Sequence, residues 1–137
     1  MILREKLMYK LLDLNKFEDD RGILTKIFTD TFIKKLGIDR IEESYLITFN
    51  KKDIIRGEHF HEKTSEIFHV IHGICSFELV ENNKINKIIL DSKESKAIMI
   101  MPKTPHRIIA KKDNSIVLAI TSKEYNVNDK DTFKYNF

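Results

Sequence analysis

Short segments rich in β-branched and other apolar residues follow one another along most of this chain, and only a few polar residues separate them. Segments of this length and spacing predict strands joined by tight turns, and hence an all-β sandwich or barrel. Near the start we predict strands at Tyr9 to Leu14 and Gly22 to Phe28, then a helical turn at Thr31 to Leu36 that Gly37 caps. The other predicted strands are Glu43 to Phe49, Ile54 to His61, Glu66 to His72, Ile74 to Val80, Lys84 to Leu90, Ala97 to Met101, His106 to Ala110 and Ile116 to Thr121.

The chain length limits how these strands are organised. A chain of 137 residues has room for one domain with a proper core and for little else. Because it contains no internal repeat and no Gly/Ser linker, we predict a single domain over residues 1–137. Its barrel core is expected at about residues 15–122, and the polar tail at 123–137 is expected to pack on the barrel or on a partner subunit.

Charge and cysteine content exclude several classes of function. The chain has 24 Lys and Arg and 21 Asp and Glu, and because these are spread along its whole length no basic stripe marks a nucleic-acid surface. No apolar run approaches the length of a membrane span, and the start is too charged for a signal peptide. The lone cysteine, Cys75, implies no disulfide framework. We therefore expect a cytoplasmic protein that binds neither nucleic acid nor membranes.

The segment from Arg56 to Glu66 holds the most specific chemical signal. Alternate residues of a strand share a face, so the spacing of His59 and His61 puts both imidazoles on one side. Glu66 begins the next predicted strand and can arrive beside them after a turn. A buried strand and a proline-stiffened turn deliver a further imidazole, His106. Three histidines and one glutamate form a complete set of metal ligands, and an imidazole pair also suits proton transfer near neutral pH.

This pattern resembles both motifs of the cupins. Their first motif has two histidines one residue apart, a glutamate soon after and a glycine that ends the next strand, which here are His59, His61, Glu66 and Gly73. Their second motif, a strand, a proline turn and a histidine, is similar to residues 101–106, although the usual glycine is absent. The resemblance implies a cupin fold, the jelly-roll barrel also called a double-stranded β-helix. It does not fix the chemistry, because one fold hosts many functions.

Residues outside these motifs resemble one group, the nucleotide-sugar cupins. The segment Asp20-Arg21-Gly22, Tyr45, the segment Arg56 to His61, and Ser122 with Tyr125 occur in the order typical of that group. It includes the WxcM-like 3,4-ketoisomerases of thymidine-diphospho-4-keto-6-deoxyglucose, the 3,5-epimerases of rhamnose synthesis and the cupin domain of capsule-sugar reductases. The resemblance covers about residues 15–137. The chain departs from the ketoisomerases by having Glu62 before Lys63 and by pairing Glu66 with His106.

The resemblance implies an isomerase, either a ketoisomerase or an epimerase, of a nucleotide-linked 4-keto-6-deoxy sugar, in deoxysugar or surface-polysaccharide synthesis. It implies that His59 and His61 transfer protons through an enediol and that Tyr45 polarises the carbonyl or relays a proton. It assigns substrate binding to Arg21, Arg56 and Lys63. This reaction requires no cofactor. A nucleotide sugar is the expected ligand, and because small cupins commonly bury open strand edges against a second copy, a homodimer is expected.

Two other functions stay open at this point. One is a metalloenzyme that holds Zn, Mn, Fe or Ni on His59, His61, Glu66 and His106. The other is a non-catalytic cupin that binds a sugar. The alternative role of Arg21 is to stabilise a turn, and the alternative role of Tyr45 is to fill the core. The remaining histidines, His69 and His72, are interpreted as structural or surface residues.

Overall fold

Two antiparallel sheets of five strands each make up most of the molecule, and a two-stranded ribbon accompanies them. The structure, a computed structural model, describes residues 7–137. No helix in that part of the chain is long and apolar enough to cross a membrane. In chain order the elements are β1 (Tyr9–Asp13), β2 (Asn15–Asp19), β3 (Gly22–Lys26), α1 (Asp30–Lys35), β4 (Glu43–Phe49), β5 (Ile55–His61), β6 (Glu66–His72), β7 (Ile74–Glu81), β8 (Lys84–Asp91), β9 (Lys96–Ile100), β10 (His106–Ala110), β11 (Ser115–Thr121) and β12 (Thr132–Lys134).

From β4 to β12 the chain passes back and forth between the two sheets, except at the β7–β8 hairpin, as in a jelly roll. The first sheet has the order β1-β9-β6-β11-β4 and the second the order β12-β5-β10-β7-β8, with antiparallel pairing throughout. Alternate side chains of each strand point between the sheets, as the buried and half-buried alternation of β10 shows. The predicted all-β cupin barrel is therefore confirmed.

The core lies in two places, one on each side of the first sheet. Between the sheets, Phe49, Phe68 and Phe77 are buried with aliphatic side chains from both sheets. On the outer face of the first sheet, a second cluster packs under α1, whose Ile33 is its buried residue. Thr29 caps this helix by accepting a hydrogen bond from Phe32 N. Because the helix covers the outer face of the first sheet, it leaves the barrel interior free for a site.

The structure differs from the sequence prediction near the start of the chain. The barrel already begins at β1, ahead of the predicted core start at residue 15, because Leu12 is buried on the outer face of the first sheet. The predictions also missed β2, whose residues are all exposed. Within residues 7–137 this strand pairs with β3 and with no other strand. Because neither of its faces is buried, it lacks the alternation of hydrophobic and polar residues that predicts a strand.

The C-terminal tail lies against the second sheet. Its strand β12 pairs with β5, so that Thr132 is opposite His61 and the ring of Phe133 stacks on Phe60 at 5.4 Å. At the end of the chain, the ring of Phe137 lies 4.6 Å from the guanidinium of Arg107. The tail thus reaches the strand that carries the histidine pair.

Candidate active site

Three strands bring the predicted imidazoles and carboxylate together inside the barrel. His59 and His61 lie on β5, Glu66 is the first residue of β6, and His106 is the first residue of β10. One ligand atom from each of the four lies within 4.8 Å of the others. Glu66 and His106 are buried and the other two are half-buried. The cluster is therefore compact enough to act on a single bound atom or group.

An irregularity in β5 sets the position of His59. The pairing of β5 with β10 shifts between His106 and Arg107, so that His59 lies opposite His106. Gly57 has a φ of +98°, and a Cβ there would lie 3.1 Å from both His106 O and Arg107 Cα. The following Glu58 also has positive φ, at 60°. A glycine at this point lets the strand bulge while its backbone stays close to β10.

Glu66 is the centre of the cluster. Its Oε1 lies 2.9 Å from His61 Nε2 and 3.1 Å from His106 Nε2, and its Oε2 accepts a hydrogen bond from the hydroxyl of Tyr45 at 3.1 Å. Burial opposes ionisation of Glu66, but its contacts with the two imidazoles outweigh burial and lower its pKa. Burial, followed by the charge of Glu66, raises the pKa of Tyr45. At neutral pH the tyrosine is therefore a proton donor beside a carboxylate.

The orientation of His106 requires a positive charge next to Glu66. His106 Nδ1 lies 2.9 Å from Thr104 O, and because a carbonyl only accepts, Nδ1 carries a proton. In the neutral ring, Nε2 would then present a lone pair to the carboxylate. Two lone pairs at 3.1 Å repel each other, so a proton or a metal cation must lie between them. The geometry thus fits either a proton shared between Glu66 and His106 or a metal centre.

The other two imidazoles have opposite tendencies to hold a proton. Burial, reinforced by the neighbouring His106 and His61, lowers the pKa of His59 to about 4. Burial acts in the same direction on His61, but Glu66 and then Asp131 outweigh it and raise the pKa of His61 above its ordinary value. Neighbouring groups whose pKa values are moved apart are suited to act as a base and an acid.

A cavity of about 570 Å³ opens beside the cluster. The strands contribute Tyr45, His61 and Glu66 to its wall, and the tail contributes most of the residues at 123–132, including Tyr125. The volume is in the usual range for small-molecule sites. The sequence predicted that the tail packs on the barrel or on a partner subunit. It did not predict that the tail forms this wall, because a polar tail with a strand of three residues has no periodic signal.

The three predicted substrate-binding cations lie outside the cavity wall. Arg21, in the turn between β2 and β3, is exposed and pairs with Asp19. Arg56 is also exposed, and its guanidinium lies 5.9 Å from the ring centre of Phe49. The third, Lys63, is nearest to the cavity, since its Nζ lies 3.7 Å from Oδ1 of Asp129, a wall residue.

Three solved structures similar to this one are described as 3,4-ketoisomerases or as a 3,5-epimerase. A 3,4-ketoisomerase from Helicobacter canadensis is 22% identical over 94% of this chain and 92% of that chain, with a TM-score of 0.81. The 3,4-ketoisomerase QdtA from Thermoanaerobacterium thermosaccharolyticum, a double mutant in complex with TDP, is 24% identical over 95% and 89% of the two chains, with a TM-score of 0.79. The epimerase RmlC from Legionella pneumophila, in complex with dTDP-4-keto-L-rhamnose, is 17% identical over 93% and 72%, with a TM-score of 0.79.

Fold and cluster together define a cupin barrel with a polar site in its interior. Comparison with curated proteins by sequence finds no match. Residues 8–136, however, match the family described as "FdtA: WxcM-like, C-terminal". The chain belongs to that family, and the predicted resemblance to the WxcM-like cupins is confirmed.

Proposed function

We propose that this protein isomerises a nucleotide-linked 4-keto-6-deoxy sugar, as a 3,4-ketoisomerase or an epimerase. The observation that carries the proposal is the imidazole pair, His59 and His61, of which His61 lies with Tyr45 and Glu66 at the wall of a ligand-sized cavity. Family membership and the sugar-nucleotide enzymes among the structural neighbours support the same chemistry.

The reaction needs a base and an acid that act on two adjacent carbons of the sugar. A base removes the proton from C3, the C3–H electron pair forms a carbon–carbon double bond to C4, and the C4 carbonyl oxygen takes up a proton. The resulting enediol loses its C3 hydroxyl proton while C4 gains one, so the carbonyl moves to C3. A 3,5-epimerase uses the same first step and returns the proton to the opposite face of the same carbon. Neither course changes the oxidation state of the whole substrate, so neither requires a redox cofactor.

The site contains suitable groups for each step. His59 is neutral near pH 7 because its pKa is lowered to about 4, so it has a free electron pair to accept a proton. His61, with its raised pKa, is the better proton donor. The hydroxyl of Tyr45 lies at the cavity wall and can turn its one proton from Glu66 to a developing oxyanion. These assignments extend the predicted roles of the three residues.

A panel of nucleotide 4-keto-6-deoxy sugars tests this function. The protein is incubated with each sugar in deuterated buffer, and NMR follows product formation and deuterium uptake at C3, C4 and C5. A 3-keto product with deuterium at C4 supports a ketoisomerase, and a 4-keto sugar with deuterium at C3 and C5 supports a 3,5-epimerase. Binding without turnover or exchange for every sugar would contradict the proposal and leave the non-catalytic sugar-binding cupin.

A metalloenzyme is the second candidate, and the centre of the cluster favours it specifically. The buried atoms His61 Nε2 and Glu66 Oε1 have no well-aligned hydrogen-bond partner, although they lie 2.9 Å apart. Together with His59 and His106 they offer three nitrogens and one oxygen, a donor set that suits Zn, Mn, Fe or Ni. The residues therefore fit a metal. A bound divalent ion would supply Lewis acidity to the substrate carbonyl.

Metal content separates the two candidates. Protein purified without added metal is analysed by elemental mass spectrometry, and turnover is measured before and after dialysis against a chelator. A metal centre predicts about one ion per chain, loss of binding when His106 is replaced by Gln, and loss of turnover on chelation. Full turnover in metal-free protein would eliminate this candidate and leave Glu66 and His106 as partners of the imidazole pair.

We further propose that the protein is a homodimer, as the sequence predicted. The β2–β3 ribbon supports this, because a two-stranded ribbon is marginal by itself and its Phe17 and Leu24 are 62% and 58% exposed. Arg21 lies in the turn of this ribbon and does not line the cavity of its own chain, so a dimer offers a way to bring Arg21 to the substrate of a second copy. Sedimentation of the wild type and of a Phe17→Ser/Leu24→Ser variant tests the proposal. Dimers that dissociate in the variant are expected, and a monomeric wild type would contradict it.

A further inference from the structure

The C-terminal tail holds the turn that joins β5 to β6. Asp131 accepts hydrogen bonds from three successive residues of this turn: its backbone oxygen from Glu62 N at 2.9 Å, its Oδ1 from Lys63 N at 2.7 Å, and its Oδ2 from the hydroxyl of Thr64. That turn separates the last imidazole of β5 from the first carboxylate of β6. One tail residue thus determines how these two groups approach each other.

The next tail residue contacts the imidazole itself. In the pairing of β12 with β5, Thr132 lies directly opposite His61, and its Oγ1 is 3.1 Å from His61 Nδ1. The carboxylate of Asp131 lies behind it, with Oδ2 3.9 Å from the same nitrogen. On the other side of the ring, Nε2 faces Glu66 at 2.9 Å. The ring is therefore held at both nitrogens, by the tail at Nδ1 and by the cluster at Nε2.

A hydroxyl is well suited to this position. Either a proton or a metal cation lies between Nε2 and Glu66 Oε1, because two lone pairs at this distance would repel each other. With a proton on Nε2 of the neutral ring, Nδ1 accepts a hydrogen bond from the Thr132 hydroxyl. With a cation on Nε2, Nδ1–H donates to the same oxygen. A hydroxyl serves both arrangements, whereas a methyl group serves neither.

We propose that Thr132 is a positioning residue for His61, and that Asp131 supports it by fixing the turn that follows. Thr132 occupies Nδ1 and thereby keeps Nε2 of His61 facing Glu66. The C-terminal tail is then part of the active site and not only its wall. The expected effect on kcat rests on the proposed isomerase function. The expected effect on the His61 ring rests on hydrogen-bond geometry alone.

The backbone pairing of Thr132 makes the side chain testable by itself. The pairing of β12 with β5 uses main-chain groups, which Val and Ser preserve. Thr132→Val keeps the shape and removes the hydroxyl, and Thr132→Ser keeps the hydroxyl. Thr48 is an exposed threonine of β4, so Thr48→Val is a matched control for exchanging hydroxyl for methyl on a strand.

Steady-state kinetics and NMR form the experiment. We expect Thr132→Val to lower kcat by about tenfold or more with KM changed less than threefold, and Thr132→Ser and Thr48→Val to stay within about threefold of wild type. In long-range ¹H–¹⁵N spectra of the substrate-free protein, only Thr132→Val should change the ¹⁵N shifts of the His61 ring. Wild-type kcat and ring shifts in Thr132→Val would overturn the proposal.

The two readouts separate failure of the inference from failure of the proposed function. The ring shifts need no substrate, so they decide the positioning role even if no nucleotide sugar is turned over. Ring shifts that change equally in Thr132→Val and Thr132→Ser would also overturn it, since they would show a packing effect and not a hydroxyl effect. Circular dichroism of each variant verifies that the barrel is folded.

Discussion

Acidification should destabilise this fold through His59. The pKa of His59 is about 4 in the folded protein and about 6.5 when the ring is in water, so between these values the unfolded chain binds a proton that the folded one does not. Stability therefore falls as pH falls through this window. Full linkage gives a loss of about 2 kcal/mol between about pH 7.5 and about pH 5. Because the ring is partly exposed, solvent screening reduces the expected loss to about 1 kcal/mol.

The wild type and a His59→Asn variant are compared by urea unfolding at several pH values, in chelator to remove any metal. The difference between them isolates His59. The contributions of Glu66 and His61 are common to both proteins and cancel in this difference. The lowered pKa of Glu66 gives stability that is lost mainly below about pH 4.5, and the raised pKa of His61 adds stability as pH falls. The wild type should lose about 1 kcal/mol more than the variant between about pH 7.5 and about pH 5. Equal losses in both proteins would refute the reasoning.

Three further predictions follow from the site and the fold. His61→Asn should preserve folding, as judged by circular dichroism, and lower turnover about a hundredfold or more, so near-wild-type turnover would remove His61 from the mechanism. Tyr45→Phe, which removes only the hydroxyl bound to Glu66, should lower kcat about tenfold or more while circular dichroism shows a folded protein, and an unchanged kcat would exclude a role for that hydroxyl. Gly73→Ala should cost about 2–4 kcal/mol in urea unfolding, because φ is +83° and the new Cβ would collide with Ser115, whereas Gly37→Ala, at a φ of +81° in open space, should cost about 1 kcal/mol. Equal costs for the two glycine variants would show that the collision has no effect.

The histidine pair shows what strand periodicity can predict. A two-residue repeat on a strand places His59 and His61 on one face whatever the rest of the chain does, and the structure has their ring centres 4.7 Å apart. The interpretation of His69 rested on its apolar neighbours, and the structure has this residue buried with Nδ1 at 2.8 Å from Lys96 O. Both inferences depend only on the face of one strand.

The meeting of different strands is harder to predict. The sequence gives the number of residues between His61 and His106. It does not give the register of their two strands, which depends on the bulge at Gly57 and Glu58. Only the resemblance to the cupin motif predicted that His106 lies beside the pair. No motif predicted the position of Thr132, because Thr132 lies in a three-residue strand within a polar tail and owes its position to pairing with β5.

The two candidate functions differ mainly in what lies between His106 Nε2 and Glu66 Oε1. Thr104 O keeps the proton of His106 on Nδ1, so the gap of 3.1 Å must hold either a proton or a cation. The ring of His59 lies 4.9 Å from that of His106. Burial, and after it the neighbouring His106, lowers the pKa of His59 against the opposing effect of Glu66. His59 therefore keeps a free electron pair, which would accept the substrate proton in an isomerase and would bind the ion in a metalloenzyme.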